Sequence, residues 1–252
     1  MSAPRVAIVT GSSSGIGEGI ARGLAADGFT VVVNSATSVD AGERLAAEFP
    51  GASYVQADVA DPADAVRLVE TAVQRHGRLD LLVNNAGVAR PVPHADLEAI
   101  TADDWHRILG VNVVGTWQVS VAAVKVMEPG SQIINITSVG GSRPLGSSIP
   151  YAVSKAALDH LTRLLAKAVG PDVRVNAIAP GPLQTRLTSA GLAQRASRTA
   201  AMTPLGRLGQ PSDIAAMILA LTKIPFVTGE VINVDGGINL FTHMDAPRDT
   251  AP

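Results

Sequence analysis

The chain is predicted to be a doubly wound α/β domain, a parallel sheet with helices on both faces. Three observations carry that expectation. Short β-rich apolar runs recur along the 252 residues, segments with helix end signals lie between them, and the runs are continuously apolar rather than alternating. A continuously apolar strand is covered on both faces, as in a parallel sheet between two helical layers. Seven runs fit: Val6–Val9, Val31–Val33, Tyr54–Ala57, Leu79–Val83, Ile133–Ile136, Val173–Ile178 and Val231–Val234. The expected sheet is therefore seven-stranded and mostly parallel.

The intervening helices follow from their punctuation. After the first strand a helix opens at Gly15 and runs to Ala26, ended by Gly28. After the second, Val39–Phe49 starts behind a candidate cap at Ser38 and stops at Pro50-Gly51. The same signals place helices at Pro62–His76, Ala102–Met127, Tyr151–Val169 and Ser212–Leu221, each between successive strands. No internal repeat, low-complexity tract or long linker divides the chain, so residues 1–240 read as one domain with a lid at about 182–211. Residues 241–252 carry two prolines and mixed charge and read as a tail.

Composition narrows the function classes. With 46% hydrophobic and 17% charged residues there is material for a substantial core. Twenty basic against twenty-two acidic residues give a net charge of −2, so no global positive field favours nucleic acid or an anionic membrane. The absence of cysteine excludes disulfides, thiolate metal sites and a cysteine nucleophile. The five histidines show no metal-ligand spacing, and no metal is expected. No uninterrupted apolar run approaches the ~20 residues of a membrane span, and no h-region precedes Val6, so a soluble, cytoplasmic protein is expected.

The first strand empties into Thr10-Gly11-Ser12-Ser13-Ser14-Gly15-Ile16-Gly17, with a helix beginning inside the segment. Glycines there let the backbone turn tightly and approach a pyrophosphate, and the helix N-terminus supplies N–H donors and a positive dipole end. The segment is a candidate dinucleotide cradle on a Rossmann-type fold. The adenosine ribose would then meet the end of the second strand, Asn34 followed by Ser35, with no carboxylate before Asp40. Those small polar residues accommodate a 2′-phosphate without repulsion, which favours NADP and leaves NAD open.

Tyr151 and Lys155 stand four apart at the start of a predicted helix and so share one face, with Cβ atoms ~5–6 Å apart. An ammonium ~6 Å from a phenol at an effective dielectric of ~20 contributes ~3 kcal/mol, roughly two pKa units downwards before desolvation opposes it. Such a pair can do general acid/base work. Alone, the same spacing is more often that of a surface pair.

Taken together, the motifs resemble those of the short-chain dehydrogenase/reductase family over nearly the whole chain. Thr10 to Gly17 resembles its glycine loop, Asp58-Val59 its adenine-side acidic residue, and Asn84-Asn85-Ala86-Gly87 its motif beside the cofactor. Asn112, Ser138 and Tyr151-Ala-Val-Ser-Lys155 match its catalytic tetrad, and Pro180-Gly181 with Leu183 and Thr185 the segment at the nicotinamide carboxamide. The branch most resembled is that of 3-oxoacyl-carrier-protein reductases, through Gly206-Arg207 to Pro211 and Val234-Asp235-Gly236-Gly237.

The resemblance implies hydride transfer between NAD(P)H and a carbonyl or secondary alcohol. It assigns Tyr151 as general acid/base, Ser138 as the group holding the substrate oxygen, Lys155 as the residue that lowers the tyrosine pKa and binds the nicotinamide ribose, and Asn112 as the holder of a water linking Lys155 to solvent. The cofactor would lie against Gly11, Ser13, Ser14, Gly15, Ile16, Gly17, Asn34, Ser35, Asp58, Val59, Asn85, Ala86, Gly87, Tyr151, Lys155, Pro180, Gly181, Leu183 and Thr185. It also implies a homotetramer in which Ala102–Met127 and Tyr151–Val169 pair across a two-fold axis.

On the substrate side, Val88, Val92, Leu145, Ile149, Leu183, Leu187 and Leu192 suit a small-molecule ketone or alcohol, or close the loops onto the core. Between Pro182 and Pro211, Arg186, Arg195, Arg198 and Arg207 stand with no acidic residue. Such a stripe is either a solvated face or a surface for an acyl carrier protein or a coenzyme A thioester. A non-catalytic cofactor-binding scaffold of the same fold is the alternative from another class, and the intact tetrad argues against it.

Overall fold

In a computed structural model of the chain, residues 4–184, 197 and 199–240 are described. The strands are β1 (Val6–Val9), β2 (Thr30–Ser35), β3 (Ser53–Gln56), β4 (Leu81–Asn84), β5 (Ser131–Ile136), β6 (Val173–Pro180) and β7 (Val231–Val234). They form one sheet in the order β3-β2-β1-β4-β5-β6-β7, and every neighbouring pair is parallel. The chain thus builds outwards from β1 in one direction, then returns to β4 and builds in the other. The reversal opens a crevice at the carboxyl ends of β1 and β4, where doubly wound sheets bind ligands.

The continuous apolar runs are explained by two cores. Val6 and Ile8 of β1 belong to one, with Leu82, Ile133, Leu68 and Val119. Ala7 and Val9 point the other way, with Val31, Val33, Ile20, Leu24 and Ile218. Successive side chains of a strand alternate between faces, so a strand buried on both must be apolar at every position.

The helices are α1 (Gly15–Ala26), α2 (Val39–Ala47), α3 (Pro62–His76), α4 (Ala102–Leu109), α5 (Thr116–Val124), α6 (Ile149–Val169) and α7 (Pro211–Lys223). α3 shows complete end chemistry: the Asp61 carboxylate accepts from the N–H groups of Ala63 and Asp64, Pro62 opens the first turn, and Gly77 closes the helix at φ 78°. α6 begins two residues before the expected Tyr151, because Ser148 is its N-cap and Pro150 fits its first turn, where an N–H would have no helical partner. Ser38 takes the expected N-cap position of α2, but its side chain makes no capping bond.

The expected single helix Ala102–Met127 is interrupted. A π-helical turn, Gly110–Gly115, joins α4 to α5. Its wider winding allows the backbone at Gly115 to press on the loop after β3, where a Cβ would stand 2.9 Å from Val59 Cγ2 and 3.0 Å from Val59 O. Asn112 lies within that turn with its side chain fully buried.

Candidate active site

The glycine loop joins the end of β1 to α1. Gly11 (φ 60°) and Gly15 (φ 61°) adopt left-handed backbone that other residues rarely take. Gly17 has no room for a side chain, since a Cβ would fall 2.5 Å from Asn85 Nδ2 and from Gly11 O. Gly15 instead faces open space, with nothing within 4 Å of its Cβ direction. The Ser14 side chain makes no capping bond, so no side chain of the N-cap shields the first N–H groups of α1. Open space above unshielded donors fits a pyrophosphate.

The loop is braced by polar side chains. Thr10 Oγ1 accepts from the N–H groups of Asn85 and Ala86, both at 3.0 Å, while Asn85 Nδ2 donates to Thr10 O and Gly11 O. Asn85 therefore fixes the loop geometry from the end of β4, with Ala86 and Gly87 following at the crevice. Val59 is buried, whereas Asp58 is exposed and accepts from the Ala60 N–H. Pro180 and Gly181 leave β6 at the same sheet end, with Gly181 N–H donating to Val234 O, and Leu183 forms a bridge with Gly209. Thr185 lies outside the described residues.

Two residues expected at the ribose are spent inside the fold. Asn34 Oδ1 accepts from the Gly11 N–H, and its Nδ2 donates to Val55 O and Ala57 O. Its amide locks the glycine loop to β3 and is only 1% exposed. Ser35 is buried and hydrogen-bonded to Tyr54 Oη at 2.9 Å. The polar groups left at this rim are Thr37 and Ser38, both exposed. Beside them is a groove of about 130 Å³ between α1 and α2, lined by Ser13, Glu18, Arg22, Ala41, Arg44, Leu45 and Glu48. Arg22 pairs with Glu18 and Glu48, whereas Arg44 has no ion pair or hydrogen bond among the described residues. Sequence reading missed Arg44. The available signal was its i,i+3 spacing from Ala41, which places it one turn below the α2 N-terminus.

The tetrad assembles at the carboxyl ends of β4 and β5. Tyr151 hydrogen-bonds Ser138, which stands just after β5 and accepts from the Gly140 N–H at 3.1 Å. Lys155 Nζ lies 5.7 Å from the Tyr151 ring centroid and donates to Ile136 O at 2.8 Å. Gly87 leaves room beside that ammonium: a Cβ there would stand 3.6 Å from Nζ and 3.3 Å from Asn112 Oδ1. Asn112 brackets Val88, accepting from its N–H at 2.8 Å and donating to its carbonyl at 3.0 Å, and donates also to Ser154 Oγ. Its side chain is thus engaged by the protein itself and secures the loop at Gly87-Val88.

The electrostatics differ from the sequence expectation. Burial pushes the Tyr151 phenol up, against the lowering effect of the Ser138 hydrogen bond. Burial also pushes Lys155 down to about 8, opposed by the negative charge of Asp159. For Tyr151 burial outweighs the hydrogen bond that favours the phenolate. A neutral phenol beside a cationic amine results at neutral pH. Among the described residues no cluster of His, Asp or Glu could hold a metal ion.

On the substrate side, Val92 N–H donates to Ser147 O at 2.7 Å, tying the loop after β4 to the loop after β5. Val92 is buried, Leu145 is exposed, and Arg143 donates to Asn239 O, closing the β5 loop onto the segment after β7. Val88 and Ile149 flank the same two loops, while Leu187 and Leu192 lie outside the described residues. Of the four arginines of the lid, Arg207 is paired with Asp213 at 2.7 Å, and Arg186, Arg195 and Arg198 lie outside the described residues.

Comparison with known proteins agrees with this geometry. A family model described as Enoyl-(Acyl carrier protein) reductase matches residues 11–239. The chain is 54% identical over 242 residues to "Granaticin polyketide synthase putative ketoacyl reductase 2" of Streptomyces violaceoruber, covering 93% of this chain and 96% of that one. It is 36% identical to the 3-oxoacyl-[acyl-carrier-protein] reductase FabG of Thermotoga maritima, covering 93% and 97%. Among solved structures, a short-chain dehydrogenase of Burkholderia cenocepacia in complex with NADP superposes with a TM-score of 0.85 at 32% identity, covering 93% of this chain and 98% of that one.

Proposed function

The chain belongs to the short-chain dehydrogenase/reductase family and is an NAD(P)-dependent oxidoreductase, and we propose that it reduces the ketone of a 3-oxoacyl group with NADPH. The observation that carries the reading is the meeting of Tyr151, Ser138 and Lys155 at the carboxyl ends of β4 and β5, a proton donor beside a hydroxyl that can hold the substrate oxygen, and the direction of reduction is supported by relatives named as reductases. The nicotinamide, when bound, supplies the hydride. Ser138 holds the substrate oxygen, and Tyr151 delivers the proton to it. Lys155, charged at neutral pH and adjacent to Gly87, stabilises the phenolate that remains. Asn112 keeps the Gly87-Val88 loop in register with Lys155 by gripping both polar groups of Val88. Tyr151→Phe should lower turnover by ~10²–10⁴-fold while leaving NADPH affinity within about threefold. Retained turnover refutes the assignment.

The 3-oxoacyl reading is supported by relatives named ketoacyl and 3-oxoacyl-[acyl-carrier-protein] reductases. An acyl-carrier or coenzyme A thioester would present its chain to the mouth between Val92 and Leu145. The preference for NADP rests on Arg44. Arg44 lines the groove together with Ser13, one turn into the helix that follows the exposed Ser38, and makes no ion pair among the described residues. Titrating NADPH and NADH side by side tests this. Wild type should prefer NADPH, and Arg44→Gln should weaken NADPH by about tenfold, ~1.4 kcal/mol, with NADH unchanged. A wild-type preference for NADH overturns it.

A homotetramer is proposed on the apolar face of α5 and α6. A groove of about 480 Å³ there is lined by Trp117, Val121, Val124, Leu161, Leu164 and Leu165 among others, with Trp117 and Leu164 about half exposed. A second copy of the same helices is the matching surface.

A further inference from the structure

We propose that Ser154 is a positioning residue of this active site: its hydroxyl ties the loop at Gly87-Val88, through the amide of Asn112, to the helix turn that carries Tyr151. The inference rests on the reading of Tyr151 as the proton donor given above. Ser154 follows Tyr151 by three residues on α6 and is fully buried, as is Asn112. Its Oγ donates to Tyr151 O at 2.7 Å and accepts from Asn112 Nδ2 at 3.0 Å, so one oxygen carries two bonds of opposite direction. A serine that only bonds a carbonyl one turn back in its own helix is an ordinary helix feature. Ser154 differs because its oxygen also receives a donor 42 residues away in sequence, from another element.

The bonds close a circuit around the reacting groups. From Tyr151 O the path runs through Ser154 Oγ to the Asn112 amide, and from there to both polar groups of Val88, 2.8 Å to its N–H and 3.0 Å to its carbonyl. Gly87, the preceding residue, returns the path to the same helix: a Cβ there would stand 3.6 Å from Lys155 Nζ and 3.3 Å from Asn112 Oδ1. Asn112 lies in the π turn between α4 and α5, and its own carbonyl accepts from the hydroxyl of Thr116, the first residue of α5, at 2.9 Å. Its backbone is thus held by α5 and its side chain by α6. Among the described hydrogen bonds, Ser154 is the one point where the Asn112 amide meets α6.

Without the hydroxyl, Asn112 Nδ2 keeps only Val88 O, and the amide is no longer anchored to the helix that it serves. The loop then loses its fixed distance from Tyr151 and Lys155. Misalignment of that kind lowers the rate of the chemical step more than it weakens the binding of substrate. Ser154→Ala removes both bonds at little change in volume. Ser154→Thr keeps a hydroxyl that can reach the carbonyl one turn back.

The experiment compares wild type with these two variants in two readouts: kcat and KM for NADPH-dependent reduction of acetoacetyl-coenzyme A, and amide hydrogen exchange of the free protein by NMR. Ser154→Ala should lower kcat about tenfold, the loss of one buried hydrogen bond, with KM within about threefold of wild type. In the same variant the Val88 N–H should exchange about tenfold faster, while the Val92 N–H, in the same loop but bonded to Ser147 O, keeps its rate. Ser154→Thr should bring both readouts back to within about threefold of wild type. An unmoved Val88 rate, an equal rise at Val92, an unchanged kcat in Ser154→Ala, or a threonine variant no better than the alanine one overturns the proposal. The exchange series needs neither substrate nor cofactor, so it decides the matter for Ser154 even if Tyr151→Phe retains turnover and the tyrosine reading itself falls.

Discussion

Replacing Lys155 by methionine isolates the cost of a buried charge. The Lys155 side chain is 4% exposed, and burial holds its ammonium down to about 8 despite the opposing charge of Asp159. In the unfolded chain a lysine titrates near ~10.4, so the difference of roughly 2.4 units corresponds to about 3 kcal/mol. Between those two values the unfolded chain holds the proton and the folded chain does not. Stability therefore rises with pH across the window from about 8 to ~10.4, and the penalty is fully present below it. Lys155→Met lacks the titrating group and also loses the bond to Ile136 O, a nearly pH-independent offset of ~1–3 kcal/mol. Urea unfolding at pH 7, 8, 9 and 10.5 should show the free energy of wild type gaining about 3 kcal/mol on that of the variant as pH rises. Taking the difference cancels every other group that titrates in both proteins. A flat difference, or one falling with pH, would refute the claim that burial sets the state of this lysine.

Asn112→Ala removes the partner of both the N–H and the carbonyl of the part-buried Val88 and one of the two hydrogen bonds of Ser154 Oγ. It should cost about 3–5 kcal/mol and lower Tm by about 6–20 °C by scanning calorimetry, and an unchanged Tm would show the clasp to be dispensable. Gly17→Ala places a methyl 2.5 Å from Asn85 Nδ2 and Gly11 O and 2.8 Å from Ser12 Cα. Because backbone must shift to admit it, NADPH affinity should fall at least tenfold in a fluorescence titration, and retained affinity would mean that the loop is not the cradle. Leu164→Glu puts a charge in the α5–α6 groove and should convert the assembly to smaller species by sedimentation velocity, whereas an unchanged assembly would place the interface elsewhere.

The parts of the site legible in the sequence are those made by neighbours along the chain. The glycine loop, Tyr151 with Lys155, and the helix bounds Gly15–Ala26 and Pro62–His76 depend on turns, i,i+4 spacing and caps, all local. The parts that were not legible depend on what stands opposite. Nothing near Asn34 in sequence announces that its amide would be spent on Gly11, Val55 and Ala57. The lysine near Tyr151 was visible, but the burial that raises the phenol was not.

By itself the sequence determined the order of strands and helices and the parallel sheet covered on both faces, because continuous apolar runs and helix end signals are properties of the chain, and the tetrad was legible through its resemblance to a known family. Only the tertiary structure decided how the pieces work together. It wound the π turn that delivers Asn112 to Val88 and Ser154, and left Arg44 unpaired beside Ser13. Each of these joins residues distant in sequence or depends on the exclusion of water, and burial and long-range pairing exist only once the chain has folded.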